Sequence, residues 1–146
     1  MSEPTTDPTE SAESAEPDFL KMLSWEIQRA TRYQDFLSVG VITVAGETGF
    51  ASAETREAVG RLFAEFLRAS DVVGNIADIL AVLLVHTPLT DATSIVRRVQ
   101  QRIEEGAVGP RGAAPTRVRL ALGLACFPSD ATDDAQLIGV ARSRIG

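Results

Sequence analysis

The sequence predicts an α+β sandwich built on a mixed, mainly antiparallel sheet with helices mainly on one face. Four segments carry apolar residues at helical spacing, and four others are short apolar runs typical of strands. Their order is α-β-α-β-β-α-β-α, which contains a βαββαβ unit. At 146 residues and 45% hydrophobic content, the chain has the size of one domain with a single core.

Each predicted helix has one apolar face. In the first, Leu20, Leu23 and Ile27 recur at three and four positions. Thr132 precedes two aspartates, so we expect it to act as the N-cap of the last helix. The four predicted helices cover residues 17–34, 53–69, 89–104 and 132–144.

The predicted strands are rich in branched apolar residues and bounded by turn-forming residues. Residues 36–44 and 118–127 form two of them. Residues 72–76 and 79–85 flank Ala77-Asp78, which predicts a β-hairpin with a very tight turn. The segment 106–115, containing Gly, Pro and Ala, is expected to be a loop.

The N-terminal segment is acidic and, after Met1, contains no large apolar side chain through residue 16. We therefore predict a disordered tail over residues 1–16 and a folded domain over residues 17–146. The tail is interpreted as a solvating appendage or as a partner-binding segment. Six acids precede the first basic residue and account for the net charge of −6: Glu3, Asp7, Glu10, Glu13, Glu16 and Asp18.

The remaining chain is close to neutral, with no basic field that would favour nucleic acid or an anionic membrane. The one cysteine, Cys126, lies in an apolar run and is expected to be buried and inert. His86, the one histidine, is expected on a surface loop, and no metal site is predicted. Without a signal peptide or an apolar run long enough to span a membrane, the protein is expected to be cytoplasmic.

Four stretches resemble one known family in the right order. Residues 26–33 (EIQRATRY) resemble E-x-x-R-A-x-R-x, and residues 118–128 (VRLALGLACFP) resemble V-T-V-S-I-G-V-A-x-F-P. Residues 80–92 (LAVLLVHTPLTDA) match F-A-V-L-L-P-x-T-x-L-x-x-A without a gap. Residues 68–84 (RASDVVGNIADILAVLL) resemble R-x-x-D-x-V-x-R-x-G-G-D-E-F-x-V-L-L with one residue fewer. Together they resemble a GGDEF (diguanylate cyclase) domain over nearly the whole predicted domain.

The resemblance also implies that the catalytic signature is missing. Family members condense two GTP molecules with metal ions held by carboxylates, and the matching positions here are Thr43 and Ile79. Ile76 and Ala77 replace the two signature glycines. The guanine-reading segment is reduced to residues 45–50. We therefore predict a domain with no catalytic residues, no metal and no cofactor.

One set of family residues is retained. In active members an R-x-x-D motif binds the product, cyclic di-GMP, with help from an arginine on the following helix. The matching residues are Arg68, Asp71 and Arg98. Guanidinium and carboxylate groups suit phosphate oxygens and guanine edges. The structural alternative is that Arg68 and Asp71 end their helix and that Arg98 is a solvated arginine.

Two functions follow for a regulatory, non-catalytic domain of bacterial signalling. The first is a cyclic di-GMP receptor that uses Arg68, Asp71 and Arg98. The second is a protein-interaction scaffold without a nucleotide ligand, which binds a signalling partner or associates as a homodimer.

Overall fold

The computed structural model describes residues 8–109 and 112–146, with side chains from residue 18 onward. These residues form four α-helices and five β-strands in an order that contains the predicted βαββαβ unit. The elements are α1 (Pro8–Tyr33), β1 (Leu37–Gly46), β2 (Gly49–Phe50), α2 (Ala53–Phe66), β3 (Val72–Ile76), β4 (Ile79–Val85), α3 (Leu89–Glu105), β5 (Arg119–Phe127) and α4 (Asp134–Ser143).

The sheet has β1 at its centre, with β4 on one side and β5 on the other. Leu37 pairs with Val85 on β4 and with Phe127 on β5. The strand β3 lies outside β4, and the short β2 pairs with the end of β1. Every pairing between the described strands is antiparallel, so the mainly antiparallel sheet that was predicted is confirmed and these strands form no parallel pair. The reason is that the β3–β4 hairpin places β4, and not β3, beside β1.

Helices cover both faces of the sheet, which corrects the prediction that they lie mainly on one. The helices α1 and α4 pack on the face that carries Val39 and Leu83, whereas α2 and α3 pack on the face that carries Val82 and Leu84. The cause lies in β4, whose residues are apolar on both sides. A strand with apolar residues on both of its sides needs a packed layer on each face of the sheet.

Three helix ends differ from the prediction. The helix α1 begins at Pro8, inside the predicted tail, in a stretch rich in helix-forming Glu and Ala; residues 1–7 of that tail lie outside the described residues. The helix α2 ends at Phe66. Asp133, and not Thr132, caps α4, because its side chain accepts a 2.8 Å hydrogen bond from the Gln136 amide.

Two further predictions are confirmed. Cys126 is 2% exposed and lies in β5. His86 follows the end of β4, and its side chain is 60% exposed. Among the helices of the described residues, none combines the length and apolarity needed to cross a bilayer.

Candidate functional site

The β3–β4 hairpin has two ends, and the residues that match the family's signature lie at its turn. Ile76 pairs with Ile79, so only Ala77 and Asp78 form the connection, as predicted. Ala77 has a φ of 56°, a left-handed conformation that costs free energy for any residue with a Cβ atom. The turn is therefore closed by a residue less suited to it than glycine.

A small recess of about 150 Å³ lies beside this turn. Thr43 and Ile79, the positions where the resemblance places metal-binding carboxylates, both line it. The carboxylate of Asp78 is the only one in the lining, and the guanidinium of Arg56 shares the same recess. Hard divalent cations prefer several oxygen ligands. The positive charge of Arg56 repels a metal ion bound beside it. The recess therefore does not fit the two metal ions of a cyclase.

Among the described side chains, those of residues 18–109 and 112–146, no three His, Cys, Asp or Glu lie together in an arrangement that could hold a metal ion.

At the open end of the hairpin, Arg68 and Asp71 form a closed set of hydrogen bonds. The Arg68 Nε lies 3.3 Å from one Asp71 oxygen, and its backbone amide donates to the same oxygen at 3.2 Å. The Arg68 Nη2 donates to the Val85 carbonyl and to the Thr87 Oγ1, each at 2.8 Å. The Val85 amide donates to the other Asp71 oxygen at 3.3 Å. We call this set the hairpin clamp: Arg68, Asp71, Val85 and Thr87.

The position of the hairpin clamp explains its role in the fold. The strand β3 starts at Val72, which pairs with Leu83, so Val85 lies beyond the first β3 residue. Its amide and carbonyl would lack a strand partner on this side, and buried backbone groups need one. Asp71 and Arg68 supply the missing acceptor and donor. The side chains of the hairpin clamp thus take the place of a strand partner for Val85.

The two charged side chains of the hairpin clamp differ in how deeply they are buried. The Asp71 side chain is only 2% exposed, whereas the Arg68 side chain is 55% exposed. Both Asp71 oxygens already accept hydrogen bonds within the fold. A guanine edge would have to displace those donors to reach Asp71, while part of the Arg68 guanidinium remains accessible.

A second arginine–aspartate pair at another strand end has the same design. Arg144 donates to both Asp130 oxygens at 2.9 and 3.0 Å and to the Leu124 carbonyl at 3.0 Å. Asp130 also accepts from the Cys126 amide at 2.8 Å. The paired guanidinium holds the pKa of Asp130 below its usual value. This pair lies outside the R-x-x-D motif, so the fold uses the same design at a second place.

Arg98, the third predicted ligand residue, lies on the exposed side of α3. It lines a small depression of about 100 Å³ with Phe66, Ile95, Val99 and Arg102. Arg102 stacks on Phe66 at 5.1 Å from the ring centre. The lining of this depression includes neither Arg68 nor Asp71. The structure therefore brings Arg68 and Asp71 into contact and places Arg98 in this depression beside Phe66.

Sequence reasoning also missed a further polar cluster, at the end of α1. Asp35 contacts His86 and accepts from Arg29 at 3.2 Å, and Arg29 also binds Glu26 at 2.7 Å. The Phe36 amide, Arg29 and His86 hold the pKa of Asp35 below its usual value. Only the i, i+3 spacing of Glu26 and Arg29 was visible in the sequence, because His86 comes from a distant strand end.

Several solved structures share this architecture. The GGDEF domain of TpbB (YfiN) from Pseudomonas aeruginosa matches with a TM-score of 0.72 at 23% identity, over 86% of this chain and 78% of that one. The FimX GGDEF domain from the same organism matches with a TM-score of 0.75 at 15% identity, over 88% and 84% of the two chains. The chain therefore has the GGDEF-domain fold, as the sequence predicted.

A third structure contains a protein partner. It is the diguanylate cyclase SiaD from Pseudomonas aeruginosa in complex with its activator SiaC, with a TM-score of 0.73 at 19% identity. The match covers 88% of this chain and 52% of that one. No family model and no curated protein matches the sequence.

Proposed function

We propose that this chain is a regulatory domain of GGDEF fold that does not synthesise cyclic di-GMP and acts by binding a protein partner. The observation that carries the first part is the donor set of the hairpin-turn recess. Thr43 and Ile79 offer no charge there, and Asp78 shares the space with Arg56. Such a lining cannot hold the two metal ions that would neutralise a GTP triphosphate.

The cyclase part is tested by incubating the protein with GTP and Mg²⁺ or Mn²⁺ and measuring cyclic di-GMP. We expect no product from the native chain. We also expect none from Ile79→Glu, because one added carboxylate leaves Thr43 uncharged and Arg56 in place. Synthesis of cyclic di-GMP by either protein would contradict the proposal.

The protein-binding part rests on how the retained motif is used. Asp71 is buried and bonded inside the hairpin clamp, which supports the structural interpretation of R-x-x-D over the ligand-binding one. A fold that keeps its core but lacks catalytic residues can still serve as a binding surface. SiaD, which shares the fold, was solved bound to a protein activator, which makes a protein partner a reasonable proposal here.

This part is tested by affinity capture with the full chain as bait, followed by direct binding measurements with each purified candidate. We expect at least one purified partner to bind this chain directly. We expect added nucleotide to leave that binding unchanged. The absence of any such partner would contradict the protein-binding proposal without affecting the cyclase result.

Cyclic di-GMP binding is the second candidate function. It is favoured by one observation, the 55% exposure of the Arg68 side chain, which leaves a guanidinium accessible to phosphate oxygens. Titration calorimetry of the native chain with cyclic di-GMP tests it, with Arg68→Ala and Arg98→Ala as variants. Binding that both variants weaken would establish this function. Heat that neither variant changes, or no heat at tens of micromolar ligand, would exclude it.

A further inference from the structure

The outward face of α1 carries three residues at an exact heptad spacing of seven. The inward face packs on the sheet through Phe19, Leu23 and other apolar residues. Asp18, Trp25 and Arg32 are all exposed on the opposite side of the helix. Seven residues make nearly two turns, so the three side chains lie in one line along α1. We call this line the α1 outer face.

The centre of the α1 outer face is unusually apolar for a surface. Trp25 is 60% exposed, and Met22 beside it is 38% exposed. The Lys21 Nζ lies 5.8 Å from the Trp25 ring centre, a cation–π distance that leaves much of the ring open. Tryptophan is enriched in the central anchors of protein interfaces.

The charges at the two ends are opposite and equidistant from Trp25. Asp18 precedes it by seven residues, and Arg32 follows it by seven. Within the described part of the chain, neither residue takes part in an ion pair. A segment with this symmetry is complementary to itself when it is reversed.

We propose that a second copy of this chain docks antiparallel on the α1 outer face, with the two-fold axis at Trp25. In this arrangement Asp18 of each copy faces Arg32 of the other, and the two Trp25 rings meet at the centre. A parallel arrangement would oppose like charges at both ends. The proposal goes beyond the proposed function, because this contact needs neither nucleotide nor another protein.

The residues between these positions are compatible with the same axis. Reversal about Trp25 places Lys21 opposite Arg29 of the other copy. Arg29 is 2.7 Å from Glu26, so this second position has no net charge to repel Lys21. The span from Asp18 to Arg32 is about 21 Å at 1.5 Å per residue. A contact of one helix pair is small, so we expect a weak dimer, with a dissociation constant of about 10–100 μM.

Charge reversal tests the proposal. Sedimentation equilibrium of the full chain measures the dissociation constant of the native protein and of three variants. We expect Asp18→Arg and Arg32→Asp each to weaken the dimer about tenfold, because each converts two attractive pairs into repulsive ones. The variant with both changes restores both pairs, and we expect a constant within about threefold of the native value.

A spectroscopic readout and a matched control accompany these variants. Trp25 is the only tryptophan, so its emission should shift to shorter wavelength as concentration rises, and circular dichroism reports folding. Glu65→Arg makes the same charge change on an exposed position of α2, and we expect native dimerisation.

Three results would overturn the proposal. They are a monomeric native protein at about 1 mM, a dimer that the single reversals leave unchanged, and a double variant that stays as weak as the single ones.

Discussion

The two ends of the β3–β4 hairpin differ in what their polar residues do. At the turn, Ala77 and Asp78 are exposed and line or adjoin a recess with few ligand atoms. At the open end, Arg68 and Asp71 satisfy the backbone of Val85, which lies beyond the first β3 residue. The family pattern is altered at the turn and retained at the open end. The difference teaches that a retained motif can persist because the fold itself uses it.

The largest expected effect is a difference in unfolding free energy when the same change, Asp to Ala, is made at each end of the hairpin. Asp71→Ala removes a buried carboxylate and leaves the Arg68 and Val85 amides without an acceptor, so we expect a loss of about 2–4 kcal/mol of unfolding free energy. Asp78→Ala changes an exposed turn residue, and we expect a change within about 0.5 kcal/mol. Urea denaturation measures both. Similar losses at the two positions would remove the distinction between the ends.

The Arg144–Asp130 pair offers a comparison outside the hairpin. Its shape resembles the hairpin clamp, and Asp130→Asn should cost about 1–3 kcal/mol at neutral pH, since a charged hydrogen-bond acceptor is lost. The folded state holds the pKa of Asp130 below its ordinary 3.8. The unfolded chain therefore binds the proton first, and this contribution is present above that value and is lost as the pH falls through the folded pKa.

Unfolding measured from pH 6 to pH 2 checks this sign. We expect the native protein to lose stability more steeply in the acid range than Asp130→Asn does. Equal slopes for the two proteins would show that the Arg144 pair does not lower the pKa of Asp130. Asp35, whose pKa is also lowered, keeps a residual slope in the variant.

A smaller effect is expected at the turn, and its sign is opposite. Ala77 has a φ of 56°, so Ala77→Gly relieves a left-handed conformation while adding freedom to the unfolded chain. We expect a net gain of about 0.5 kcal/mol in unfolding free energy. Thermal denaturation at one concentration is sufficient to detect it. A clear loss would mean that the Cβ atom of Ala77 makes a contact that the turn needs.

The smallest effect is expected at Arg98, which lies on the exposed side of α3 outside the hairpin clamp. Arg98→Ala should change the unfolding free energy by no more than about 0.5 kcal/mol. The same urea series measures it. A loss comparable to that of Asp71→Ala would place Arg98 in the structural set with Arg68.

Much of the fold could be predicted from local patterns. The tight hairpin at Ala77-Asp78 and the helical faces follow from spacing alone, and both are confirmed. The covering of both sheet faces was also encoded, since β4 is apolar at every position. That pattern was not used to predict the placement of the helices.

The candidate site was only half predictable. Arg68 and Asp71 are three residues apart, so their contact could be expected from spacing. Their bonds to Val85 and Thr87 join residues fourteen to nineteen positions apart and depend on where β3 begins. Arg98 was identified by resemblance alone. The structure places it beside Phe66, and its role as a ligand residue stays a prediction. Long-range geometry, which sequence spacing does not contain, sets the contacts of the hairpin clamp.

The most direct test of the structural role of R-x-x-D is a double-mutant cycle between Arg68 and Asp71 in the ligand-free protein. Unfolding free energies of the native chain, Arg68→Ala, Asp71→Ala and the double variant give their coupling. A clamp that works inside the fold predicts a favourable coupling of about 1–3 kcal/mol without any nucleotide. A coupling near zero, with full stability in both single variants, would contradict the structural role of the hairpin clamp. It would favour a ligand-binding role for the R-x-x-D motif.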